Sequence, residues 1–155
     1  MSVQEAFRQA KQELKRADHS IAVSLKYTRT VDVIKSIVER LINAISYALD
    51  TLLELAKADK KIPEVPELPR LKIEQVRKLY KDDRQIQDMC EFFLLLRKID
   101  KAKFSRAHEF RRNVTMTAHM DDQSTIELTI DIITDYYERT VECINHVGKI
   151  AMGDE

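Results

Sequence analysis

Apolar residues return every three or four positions along most of this chain, the spacing that gathers side chains on one face of an α-helix. Val3, Phe7, Ala10, Leu14, Ala17, Ile21 and Leu25 trace the first such face. It opens on Ser2-Val3-Gln4-Glu5, a pattern in which serine and glutamate satisfy each other's orphan amides. The periodicity falters at Thr28-Arg29-Thr30, where Thr30 is placed to cap a second helix. Ile34, Ile37, Val38, Leu41, Ile42, Ile45, Ala48, Leu49, Leu52 and Leu53 then form a stripe broad enough to bury against two neighbours. Running from Val31 to Ala58, that helix is about 40 Å long at ~1.5 Å per residue.

All three prolines fall between Lys60 and Pro69. Proline lacks an amide hydrogen and turns its predecessor away from helix, so residues 60–70 read as an extended connector inside one domain spanning residues 1–155. A short helix is expected from Ile73 to Tyr80. Asp82 or Asp83 then caps a helix through Ile86, Met89, Cys90, Phe93 and Leu96 toward Ile99. Phe92, Leu94 and Leu95 widen its apolar face almost all round, which assigns it the centre of the fold. The more polar stretch from Ser105 to Met120 opens on Ser105-Arg106-Ala107-His108-Glu109, which reads as another helix start. Asp121, Asp122 or Ser124 begins the last helix, whose stripe is Ile126, Ile130, Ile133, Tyr137, Val141, Ile144 and Val147, ending near Gly148 or a few residues beyond. No sustained strand alternation stands out. The expected fold is all-α, an antiparallel bundle of four to five helices.

Composition sharpens the functional side. The 26 basic and 26 acidic residues cancel, so no overall field draws the molecule to nucleic acid or membrane, and any RNA contact must come from a local patch. Two glycines are too few for a phosphate-cradling loop. Cys90 and Cys143 each sit in an apolar helical pattern and read as buried, reduced thiols. The amino terminus carries no basic segment followed by an apolar run, and no apolar run approaches the ~20 residues that span a bilayer, so a cytoplasmic protein without membrane association is expected.

Most catalytic signatures are absent, including paired Cys-x-x-Cys and His-Glu-x-x-His. Glu142 and His146 share a helix face but supply only half a metal site, so neither a metal nor another cofactor is expected. The most unusual stretch runs from Arg106 to His119. On a continuous helix Arg112 and His119, seven apart, fall on one face. A guanidinium holds phosphate oxygens as a planar fork. An imidazole with a pKa of about 6.5 exchanges protons near neutrality. Asn113 can orient the ring or donate to phosphate. Arg106, Arg111, Lys101 and Lys103 make a basic patch of the kind that steers phosphate backbones, or an ordinary solvated helix face. Tyr137 fits the core stripe. Tyr136 either joins it with one wet hydroxyl or stacks on a base from a cleft.

Arg112-Asn113, five intervening residues and His119 resemble the R-polar-x-H signature of the HEPN superfamily. Phe110-Arg111-Arg112-Asn113 resembles the aromatic and basic lead-in of that motif. Asp121 departs from the pattern, since members of the toxin branch often carry tyrosine two residues beyond the histidine. Asp121 and Asp122 also place negative charge next to the motif. The resemblance implies a HEPN-like bundle acting as a homodimer, either a metal-independent endoribonuclease or a toxin-like RNA-binding protein. It makes Arg112 and His119 the catalytic pair and Asn113 their accessory. The alternative is a non-catalytic helical module that dimerises or binds a nucleotidyltransferase-like partner.

Overall fold

The computed structural model describes residues 1–153. Helix α1 (Val3–His19) continues through a π-helical turn (Ser20–Ser24) into the short α2 (Leu25–Tyr27), and α3 (Val31–Ala58) follows. Helices α4 (Pro69–Leu79) and α5 (Arg84–Lys101) lead to three strands, β1 (Lys103–Ala107), β2 (Thr115–His119) and β3 (Thr125–Leu128). Helix α6 (Ile130–Met152) closes the chain. The fold is therefore α+β and not all-α: a helical bundle carries a three-stranded antiparallel sheet in the order β1-β2-β3.

The helix starts follow their caps. The Ser2 hydroxyl accepts from the Glu5 amide at 3.0 Å, and Thr30 accepts from Val33 at 3.4 Å. Asp83 accepts from Ile86 at 3.1 Å, while α4 starts on Pro69 at its first position, where a missing amide hydrogen costs nothing. Helix α3 is the centre of the molecule. It packs against α1, α4, α5, α6 and β2, and its stripe from Val31 to Leu53 is buried. Helix α5, expected at the centre, lies beside it and leaves Leu94 exposed.

The region expected to be helix from Ser105 onward is a hairpin and a third strand. Along β2, Met116 and Ala118 point into the core, while Thr115, Thr117 and His119 face outward. This period-two pattern gives one packed and one wet sheet face. Ile126, expected on the last helix, lies in β3 opposite Ala118. Helix α6 begins at Ile130 behind Thr129, whose hydroxyl accepts from the Ile132 amide at 3.2 Å. Lys35 on α3 fixes the base of the sheet. Its ammonium donates to the Asp100 carbonyl at 3.0 Å and to the Asp100 carboxylate at 2.8 Å, clamping the last turn of α5 just ahead of β1. Helix α6 runs to Met152, a few residues past Gly148. A methyl group there would stand 2.7 Å from the Phe7 ring of α1, so the glycine admits close packing of the two helices.

Candidate nucleic-acid interface

The hairpin sorts the residues singled out in the sequence to two ends. Lys103 pairs with His119 at the base, next to α5, and Ala107 pairs with Thr115 at the other end. Arg111, Arg112 and Asn113 lie in the turn beyond Ala107 and Thr115. About 13 Å of strand, four steps of ~3.3 Å, thus separates the turn from His119. The shared helical face expected for Arg112 and His119 does not exist, because no helix runs through this segment. The His119 ring is instead held on the wet face of the sheet, its Nε2 2.6 Å from the Ser105 hydroxyl.

Charge divides the same way. Lys101 at the end of α5 and Lys103 at the start of β1 stay at the base. There Lys101 lines a groove with Lys98, Asp121 and Asp122, so the acids that adjoin the motif in sequence are far from the turn. Tyr136 is in neither place. Its ring meets Phe92 edge-on, with centroids 5.4 Å apart, and burial pushes its hydroxyl pKa up, so it is part of the core face of α6. His146, which shares a helix face with Glu142, bonds elsewhere: its Nε2 lies 2.7 Å from Asp83 Oδ2 and ties α6 to the start of α5.

At the tip, the turn is seated on the Thr28–Thr30 connection between α2 and α3. The Phe110 amide donates to the Arg29 carbonyl at 2.6 Å. Glu109 accepts from the Val31 amide at 3.2 Å, filling one of the orphan donors at the start of α3. Arg106 binds Asp32 at 2.8 Å and reaches Glu109 at 3.6 Å. The hydrogen bond from Arg106 holds the Asp32 carboxyl below its ordinary range, and Asp32 in turn raises the guanidinium. Val114, wholly buried, anchors the return into β2. Arg106 is therefore a clasp between two acids, Asp32 and Glu109.

What this seating presents is an aromatic and basic surface. Phe110 is 75% exposed and Tyr27, the last residue of α2, is 77% exposed. Lys26, Arg111 and Arg112 are exposed around them and Arg29 is half-buried. None of these four cations forms an ion pair with a described residue. The backbone is also forced. His108 and Phe110 hold φ values of 55° and 70°, a left-handed conformation that costs a residue with a Cβ about 1–2 kcal/mol. The fold thus spends conformational energy to hold a large apolar ring in water. Of the residues singled out from sequence, Phe110, Arg111, Arg112, Asn113 and the clasp Arg106 come together here. Lys26, Tyr27 and Arg29 were missed, although Lys26-Tyr27-Thr28-Arg29 interleaves an aromatic ring with cations much as Phe110-Arg111-Arg112 does.

Comparison with protein-family models, with curated proteins and with solved structures finds no match for this chain. Among the described residues, no helix is long and apolar enough to cross a membrane.

Proposed function

We propose that the protein binds single-stranded nucleic acid, with RNA the expected form, through the tip formed by residues 26–29 and 108–113. The observation that carries this reading is Phe110, a mostly exposed ring on a backbone pinned to Arg29 and flanked by unpaired cations. Aromatic rings stack on any base, and the neighbouring cations follow the phosphates. That combination gives binding with little sequence preference and strong dependence on salt.

Binding takes the place of cleavage in this reading. Within one chain Arg112 lies in the turn and His119 at the base of the hairpin, which favours binding over a shared catalytic phosphate. A catalytic pair would need Arg112 of one copy to meet His119 of a second across a dimer groove. One titration separates the two. Fluorescent single-stranded RNA is mixed with protein in the presence of a chelator, and both anisotropy and strand integrity are followed. The tip reading predicts saturable binding of intact RNA that weakens steeply between 50 and 200 mM salt. Absence of binding at the lower salt refutes it, and cleavage lost in both Arg112→Ala and His119→Ala supports the paired-copy nuclease instead.

A further inference from the structure

A second cationic site lies on the seam between α1 and α3, away from the tip. Gln12, Lys15, Arg16 and His19 form one stripe of α1 at helical spacing, and Arg40 of α3 faces it across a groove of about 430 Å³ that ends at Ser20. The groove has a buried organiser. Glu13 is only 6% exposed, and each of its carboxylate oxygens receives one guanidinium nitrogen, from Arg16 and from Arg40, both at 3.3 Å. Burying a carboxylate calls for partners, and two guanidinium groups supply them here. Each arginine commits one terminal nitrogen to Glu13, and its other guanidinium N–H groups are free to face the groove. Lys15 forms no ion pair with a described residue. Three permanent cations against one carboxylate leave the groove with a surplus of two positive charges, before any contribution from His19.

The acids nearest in sequence, Asp18 and Glu39, are not among the residues that line the groove. Burial, and to a lesser extent the charge of Asp18, raises the Tyr137 hydroxyl of α6. Glu39, next to Arg40, lies 3.7 Å from Lys35. The groove also ends where α1 changes to the π-helical turn, with the Leu25 amide reaching back to the Ser20 carbonyl. Such turns are frequent at functional sites. Two guanidinium forks held by a shared carboxylate, with a lysine beside them, form a donor set matched to the tetrahedral oxygens of phosphate.

We propose that this groove is a binding site for the phosphate groups of a small ligand, such as pyrophosphate or the phosphate chain of a nucleotide, independent of the tip. The phosphate chemistry is shared with a nucleic-acid backbone, so the test has two arms. In the first, pyrophosphate is titrated into the ¹⁵N-labelled full chain at constant ionic strength. Shifts confined to Gln12 through Ser20 and to the region of Arg40 are expected. Lys15→Met and Arg40→Met should each weaken binding by about tenfold or more, the usual worth of a charge-assisted hydrogen bond. Phe110→Ala should leave it unchanged. In the second arm, a short single-stranded oligonucleotide is added to the pyrophosphate-bound protein. Retention of the pyrophosphate shifts while the tip resonances move supports two separate sites. Loss of those shifts assigns the groove to nucleic-acid backbone and overturns the small-ligand proposal. A wild-type titration with no shift in the groove, or with shifts no larger than an equal ionic strength of chloride produces, overturns it without reference to any variant.

Discussion

Replacing Phe110 separates function from stability in a way few substitutions can. About a quarter of the residue's surface is covered. For a side chain that buries ~200 Å² when enclosed, that is roughly 50 Å², or about 1 kcal/mol of hydrophobic stabilisation at ~25 cal/mol per Å². Phe110→Ala should therefore lower unfolding free energy by no more than about 1 kcal/mol, because alanine bears the same left-handed strain. Phe110→Gly loses the same contact but relieves about 1–2 kcal/mol of strain, partly offset by the larger entropy of an unfolded glycine, and should fall within about 1 kcal/mol of wild type. Binding behaves differently. Loss of one base–aromatic stack is worth ~1–3 kcal/mol, a drop in affinity of about fivefold to 150-fold for either variant. Urea unfolding and anisotropy titration of the same preparations read both quantities. A loss of 2 kcal/mol or more in Phe110→Gly would show that the ring is structural, and unchanged affinity would show that it meets no base.

Other outcomes follow from the same geometry. Arg111→Gln and Arg112→Gln should each reduce the slope of log affinity against log salt by about 0.7, the value for one phosphate contact on a single strand. His119→Ala, at the far end of the hairpin, should leave that slope unchanged. Burial alone would raise the Asp83 carboxyl, but hydrogen bonds from His146 and the Ile86 amide outweigh it and hold the group below its ordinary 3.8. A carboxyl depressed on folding contributes stability that is complete above 3.8 and disappears as pH falls through the folded value. Urea unfolding at pH 5 and pH 3 should therefore show a smaller acid loss in Asp83→Asn than in wild type, and equal losses would discount the pair. Burial pushes both Cys90 and Cys143 up to about 11. At pH 8 that leaves about 100-fold less thiolate than an ordinary cysteine at 9, and alkylation by iodoacetamide should be slow to match. Labelling as fast as a free thiol would contradict the burial.

The long helices were legible because their signals agree at every level. Val31 to Ala58 combines a cap, an unbroken apolar stripe and strong helix formers, and the structure reproduces those bounds. The sheet was hidden by short strands and by mixed local preference. Met116 and Ala118 are good helix formers that happen to alternate with Thr115 and Thr117, and only the threonines favour strand. Ser105 and Glu109 looked like a helix start, yet the glutamate stands four positions on where a capping box needs three. Glu109 does cap a helix, but it is α3, 78 positions away in the chain. A helical period puts Arg112 and His119 on one face, whereas a period of two and an intervening turn part them. The basic and aromatic character around Arg111 and Arg112 was readable from sequence. Its completion by Lys26, Tyr27 and Arg29 was not, because the contacts that join the two segments, such as the Phe110–Arg29 hydrogen bond, are distant in the chain.

Amide chemical-shift mapping of the full chain with a short single-stranded RNA tests the central claim most directly. Binding at the tip predicts that perturbations concentrate at residues 26–29 and 108–113, with Phe110 and Arg111 among the largest, and that Lys101, Lys103 and His119 stay unmoved. Shifts centred on the base of the hairpin, or none at protein and RNA concentrations where anisotropy reports saturation, would contradict it.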